Sequence, residues 1–294
     1  MCEIEELKMY NKIDRYVVFF YCAMLAILFV TFASYSTSPL YESLYGSDSA
    51  QFQTIGKGWA LGLIPYVDLF DHKGPFIFFI DAISFKVCGL KIGIYLVQCL
   101  FLLVTLLGLC HLARLRSKEK LYQIFVCTLS LLFLSRIYDG GNLTEEYCLP
   151  FLTYSLYFQY ITLKDLSSKN RYIYFFLYGI TFSICLLTRI TNSVYVCVGV
   201  AIICVYQIAQ KKYRIFILNS FFFLLGVLFI LLPFVVYFCY KGSFYDFIYG
   251  TFLYNLEYKR NFVSWLEDSS FPSYYAFIVE FFLYVVTFIT AIFL

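Results

Sequence analysis

The chain has 294 residues and a formal net charge of +3, with 62% hydrophobic and 14% charged residues. Soluble domains carry about 45–50% and about 25% of these, so a water-soluble enzyme is excluded, and no block of like charge points to nucleic acid. Aromatic residues reach 22%, from 35 Phe and 29 Tyr, a composition suited to lipid-facing helices and their interfacial belts.

A bilayer-crossing helix needs about 20 mostly apolar residues. Apolar runs cover 16–34, 91–113, 121–138, 147–163, 172–188, 193–210, 215–239 and 274–294. They predict an all-α polytopic membrane protein of about eight spans, with the transmembrane domain covering 1–294. The run Tyr16 to Ala33 is too long for a signal-peptide core and reads as a retained anchor. The chain ends at Leu294 inside an apolar run, so the expectation is a C-terminally truncated domain.

The loop 35–75 starts extended and then turns helical. Asp48 and Gln51 have capping-box spacing, and Phe52, Ile55 and Trp59 follow at helical spacing. This predicts an amphipathic helix with its apolar face in lipid headgroups. Spacing alone leaves Asp48 open between an N-cap and a site acid. Gly58, Gly62 and Pro65 break the helix, and Pro65-Tyr66 reads as extended chain. Asp68, Asp71, His72 and Lys73 then crowd together before Gly74-Pro75 turns the chain into FIFFI. The stretch 76–90 reads as an interfacial or steeply tilted lead-in to the span 91–113.

That placement follows from charge. Lys8, Lys12 and Arg15 precede the first span. Arg114, Arg116, Lys118 and Lys120, then Lys164, Lys169 and Arg171, then Lys211, Lys212 and Arg214 occupy later short loops. All four clusters share one side if 76–113 crosses once, which makes that side, and the N-terminus, cytoplasmic. The loop 35–75, the turn 139–146, the turn at Arg189-Ile190-Thr191-Asn192 and a second loop 241–273 then face outward, in a plasma (inner) membrane orientation with the active site on the outer or periplasmic face.

The outer inventory is unusual. Lys73 sits at a membrane boundary against the charge bias, as do Arg136 and Arg189, and several cations on one face suggest a bound anion. DGGNLTEE carries Asp139, Glu145 and Glu146. A helix start capped by Thr144 or Asn142 accounts for one Glu, but not for two Gly and three acids. Asn142-Leu143-Thr144 matches a glycosylation sequon. Cys22, Cys99, Cys110, Cys127, Cys185, Cys197, Cys204 and Cys239 lie in apolar runs without a C-x-x-C, and read as small buried hydrophobes, not bridges or metal ligands. Neither nucleotide-binding glycine motif occurs, which argues against an ATP-driven pump.

An N-terminal span, an early loop Asp before an amphipathic helix, the string G-x-x-P-Y-x-D-x-F-D-H-K-G-P and a T-E turn two spans later together resemble the GT-C membrane glycosyltransferases. The closer resemblance is to the protein O-mannosyltransferase and aminoarabinose-transferase superfamily. It covers most of 1–250, and 46–81 is its most specific part. It implies a polyprenyl-phosphate-linked sugar donor and a lipid, protein or glycan acceptor at the outer face. Asp48 matches the family's first-loop acid, the expected catalytic base, and Glu145 the second acid. Lys73 matches a Lys that contacts the donor phosphate, and Arg189 falls near a basic residue of similar role. His72 stands where some relatives carry a metal-binding acid, so a divalent metal is a candidate cofactor. Asp68, Asp71, Glu146 and Asp139 are further candidate site acids. The chain departs from the pattern at Ser49 and Gln51, in inserting Gly74 between Lys73 and Pro75, and in having Glu at position 145.

The expected activity is inverting sugar transfer with a carboxylate base. The alternatives are a flippase or transporter of lipid-linked sugars, for which Asp81 and Lys86 are the candidate mid-membrane charges, a related polymerase or ligase, or an inactive truncated relative.

Overall fold

The computed structural model describes residues 2–42, 46–164 and 171–257, with side chains from Tyr16 onward. Among the described residues the chain is helical without a strand. In order run α1 (Cys2–Ala33), α2 (Ser47–Ala60), α3 (Pro75–Cys88), α4 (Leu90–Arg116), α5 (Lys120–Ile137), α6 (Thr144–Lys164), α7 (Arg171–Thr188), α8 (Ile190–Ala209), α9 (Tyr213–Tyr240) and the short α10 (Phe244–Ile248). All belong to one unit, Met1–Thr251, and residues from Phe252 form a second. Among the described residues six helices are long and apolar enough to cross a membrane: α1 from Tyr16, α4, α5, α7, α8 and α9. The predicted span 147–163 falls in the more polar α6, 21 residues long. The run 274–294, Lys169 and the part of loop 241–273 beyond 257 lie outside the described residues.

Short turns between antiparallel helices gather the loops at two ends. One end holds the basic clusters, with the Arg114 Nε–H donating to Gln123 Oε1 across the α4–α5 turn at 2.8 Å. At the other end the segment after α1 meets the α5–α6 turn, where Ser36 N–H donates to the Gly140 carbonyl at 2.9 Å. The helix α3 lies across that same end. Its first turn is held where α7 stops, by the Gly74 N–H donating to the Thr188 carbonyl at 3.0 Å. Its last residue leads through Gly89, at φ 78°, directly into α4. At 1.5 Å per residue its 14 residues span about 21 Å, short of the roughly 30 Å hydrocarbon core. By itself α3 is therefore too short to cross, and α4 is the candidate span of this segment.

The apolar face of α2 packs on protein instead of facing lipid headgroups. Phe52 and Ile55 are buried. Phe52 lies 6.1 Å from Phe78, and Trp59 lies 5.9 Å from Phe79 and 5.2 Å from Tyr237 of α9. Gly56 makes this approach possible, because a Cβ there would stand 2.3 Å from Asp81 Cβ. A sequence pattern marks an apolar helix face without saying what covers it, and here helices α3 and α9 cover it.

Gly140, Gly141 and Asn142 all have positive φ, at 72°, 91° and 61°. The two glycines of DGGN thus serve a left-handed turn, which glycine enters without a steric cost. A Cβ on Gly141 would also meet Ser34 Oγ at 2.1 Å. Asn142 is buried. Its Nδ2 donates to Asp81 Oδ2 at 3.2 Å, and its Oδ1 accepts from the Tyr147 hydroxyl at 2.7 Å. The sequon is therefore closed in the folded chain.

Two predictions follow from this packing. A Cβ on Gly226 of α9 would sit 2.0 Å from the Phe176 carbonyl, and one on Gly179 of α7 would sit 2.0 Å from the Phe223 carbonyl. Gly226→Leu is expected to force these helices apart at a cost of about 1–3 kcal/mol or more, read as a lower Tm of the detergent-solubilised protein. Burial pushes Asp81 up to about 8, with the Asn142 hydrogen bond pulling the other way. The folded chain therefore binds a proton that the unfolded chain releases near the ordinary carboxylate value. Stability is full below that value and declines as pH rises through about 8. Asp81→Asn is expected to flatten this slope in Tm scans, and an unchanged slope would rule out Asp81 as its source.

Candidate active site

The site end carries a cavity of about 470 Å³ lined by Gly46, Ser47, Asp48, Ser49, Asp139, Leu143, Thr144, Glu145 and Arg189. Three separate pieces of chain build it: the start of α2, the α5–α6 turn and the α7–α8 turn. Four of the residues singled out from sequence, Asp48, Asp139, Glu145 and Arg189, line this one cavity.

Asp48 is not the N-cap of α2. Gly46 takes that position at φ 83°, with no side-chain cap, and Asp48 lies in the first helical turn. Gln51 does not close a capping box either; its Nε2 donates to the Phe70 carbonyl at 3.3 Å. A positive-φ glycine turns the chain into the helix, which leaves the Asp48 carboxylate to the cavity.

The two glutamates of the T-E-E turn separate. Glu145 is half exposed and pairs with Arg189, whose Nη1 donates to Glu145 Oε1. Its other oxygen accepts from the Thr144 hydroxyl at 2.9 Å. Glu146 points away from the cavity, into the bundle. It accepts from Gln98 Nε2 and the Tyr138 hydroxyl, both at 2.8 Å, and reaches back to the Leu143 N–H at 3.1 Å. Glu146 is therefore a support of the turn and does not line the cavity. Gln98 continues the layer to Thr37 and Ser34.

Lys73 is 7% exposed. Its Nζ lies 2.9 Å from His72 Nε2, and its backbone N–H donates to Asp71 Oδ1 at 2.9 Å. Burial lowers its pKa most, Asp71 opposes that, and the charges of Arg189, Asp48 and Glu145 also act on it. Lys73 thus stands within electrostatic reach of the cavity's acids and of its arginine. Two contacts set this position. Gly74 presses against the end of α7, where a Cβ would stand 1.9 Å from the Leu187 carbonyl. The Lys73 carbonyl accepts from the Tyr66 hydroxyl at 2.8 Å. Tyr66 is not extended as its sequence suggested, but sits at φ 71°. Its ring packs near Phe78, Phe238 and Phe247, and its hydroxyl also accepts from Thr251 at 3.2 Å. Such contacts outweigh the roughly 1–3 kcal/mol cost of that backbone.

The remaining candidates have other surroundings. Asp68 closes a local turn by accepting from the Ile64 N–H at 2.7 Å. Asp71 is buried and holds the bend before Lys73, with one oxygen 3.4 Å from His72 Nδ1. Burial and then the Lys73 charge lower the His72 pKa. The imidazole lies between Asp71 on one nitrogen and the Lys73 ammonium on the other. A divalent cation on Nε2 would displace Lys73 and face Arg189, so this donor set does not fit a metal. Arg136 and Lys86 are exposed and away from the cavity. Asp81 lies on α3 at the site end, buried beneath the α5–α6 turn, where its Oδ2 accepts from Asn142.

Sequence reasoning missed Tyr66, Gln98 and Tyr138 as supports. Gln98 had a signal, as a lone amide in the apolar run IYLVQCLF. Tyr66 had one too, as the Tyr of the string G-x-x-P-Y, whereas nothing local marks Tyr138 among 29 tyrosines.

Comparison with known proteins agrees with this arrangement at the level of family. No curated protein and no solved structure gives a match. One family model matches residues 72–240, more than half the chain, from His72 beside the cavity to the end of α9. The chain belongs to the dolichyl-phosphate-mannose-protein mannosyltransferase family.

Proposed function

We propose that this chain transfers a sugar from a polyprenyl-phosphate donor to an acceptor at the outer face of the membrane, with inversion and with Asp48 as base. Family membership makes it a membrane glycosyltransferase. The observation that carries the finer reading is the shared cavity: Asp48 and the Glu145–Arg189 pair line it, and Lys73, outside the lining, stands within electrostatic reach. In the reaction the Asp48 carboxylate accepts the proton of the acceptor hydroxyl or amine as that oxygen or nitrogen bonds to the anomeric carbon. The bond from that carbon to the phosphate oxygen breaks, and the phosphate leaves with its electron pair. Lys73 and Arg189 stabilise the charge that develops there, and more strongly in a partly dry site than in water. Glu145 holds Arg189 in position.

A second feature supports a lipid-linked donor. A wholly apolar groove of about 310 Å³ runs between α4, α6 and α7, lined by residues including Phe101, Pro150, Phe151 and Leu177. It begins next to the cation loop, because Phe76 contacts Phe151 at 6.4 Å between ring centroids. On this reading the prenyl tail lies in that groove. The oily wall and the charged pocket then match the two halves of one substrate.

Two measurements check the assignment. In membranes of a host lacking its own copy, the native chain is expected to deplete one polyprenyl-phosphate sugar, followed by lipid mass spectrometry. Asp48→Asn should slow this by about 10²-fold or more, and Lys73→Ala by about 10²–10³-fold. Depletion unaffected by either change would exclude the assignment. Because burial lowers the Lys73 pKa, the alkaline limb of the rate profile should fall below the ordinary lysine range. Lys73→Arg should move that limb upward or abolish it.

A further inference from the structure

Inside the apolar core shared by α1, α4 and α5, three cysteines from three helices meet. Cys22 of α1, Cys110 of α4 and Cys127 of α5 are all buried. The Cys22 and Cys110 sulfurs are 3.7 Å apart, those of Cys110 and Cys127 are 3.3 Å apart, and all three lie within 4.8 Å of one another. We propose that Cys22, Cys110 and Cys127 form a three-thiolate site for a soft cation of the Zn²⁺ or Cu⁺ class, one that joins α1, α4 and α5.

Geometry favours a metal over a bridge. A disulfide needs about 2.05 Å between sulfurs. A trigonal ion with metal–sulfur bonds of about 2.3 Å needs its sulfurs about 4.0 Å apart, so the pairs at 3.7 and 3.3 Å would open by only a few tenths of an ångström to receive it. Thiolates select soft ions over the hard cations that carboxylates hold. In the metal-free chain the Cys127 thiol donates to the Leu106 carbonyl at 3.5 Å, a hydrogen bond that is given up with the proton when the ion binds. The surroundings fit the charge. A divalent ion that displaces three thiol protons leaves a complex of charge −1. Arg114 stands one turn along α4 from Cys110, and Gln123 one turn before Cys127 on α5, with their side chains bonded at 2.8 Å. That pair keeps a guanidinium one helical turn from the sulfurs, where low polarity strengthens the attraction. The cluster lies about 18 Å along α4 from Gln98, so it is independent of the transfer site.

The test uses the full chain, purified reduced in lipid nanodiscs, with Cd²⁺ as the probe. The native chain should bind one Cd²⁺ with the ultraviolet absorption of sulfur-to-cadmium charge transfer, and its Tm should rise. Cys110→Ser should weaken binding at least about tenfold and lose the Tm response, while Cys197→Ser and Cys239→Ser, at exposed positions, should change neither. Equal binding by native chain and Cys110→Ser would overturn the proposal. Should Cys110→Ser not fold, X-ray absorption of the native chain with Cd²⁺ decides: a shell of three sulfurs sustains the site, and a shell of oxygen or nitrogen overturns it.

Discussion

The geometry of the site end depends on a backbone contact at Gly74. Its N–H bonds the Thr188 carbonyl, and its Cα sits so close to Leu187 that a side chain cannot fit. This single contact joins the loop before α3 to the end of α7. It puts Lys73 one residue upstream of the junction and Arg189 one residue downstream. Two cations from distant parts of the sequence thereby share one electrostatic neighbourhood without a direct bond between them. Like charges do not assemble unaided. Here the backbone holds them, and Glu145 and Asp71 offset them.

Beneath that cationic edge lies a largely buried polar layer. Glu146, Gln98, Tyr138, Thr37 and Ser34 bond to one another, while Asn142 ties Asp81 to Tyr147. A network of this kind is expensive if half satisfied and rigid if complete. Its effect is to fix a turn of three left-handed residues, and through that turn the direction of Glu145. Adjacent acids thus acquire opposite duties: one supports the fold from inside and its neighbour faces the cavity.

Much of this was legible in the residues alone. The long apolar helices followed from apolar runs, and the reading of 76–90 as a lead-in to the next span agrees with a helix α3 too short to cross by itself. Lys73 and Arg189 stood out as cations against the charge bias and Glu145 as one of three acids in a short turn, whereas Asp48 was singled out by the family resemblance alone. What the sequence concealed were the partners. Nothing in the apolar face of α2 showed that α3 and α9 cover it. The capping-box spacing of Asp48 and Gln51 was genuine, yet Gly46 starts the helix. The paired Glu145 and Glu146 looked equivalent because one turn of helix carries no signal for which side chain points inward. The cysteines read as scattered small apolar residues, since a meeting of positions 22, 110 and 127 is a property of helix packing and not of spacing.

Asn142 gives the chain an unusual relation to its own synthesis. Its carboxamide nitrogen has two possible fates, a sugar attached to the nascent chain or a hydrogen bond to Asp81 in the finished one, and it can meet only one of them. A glycan on that nitrogen would also have to occupy a fully enclosed space between α3 and α6. In any cell that glycosylates such sequons, folding and modification at this position therefore compete in time, and the docking of the α5–α6 turn onto α3 is the step that closes the race.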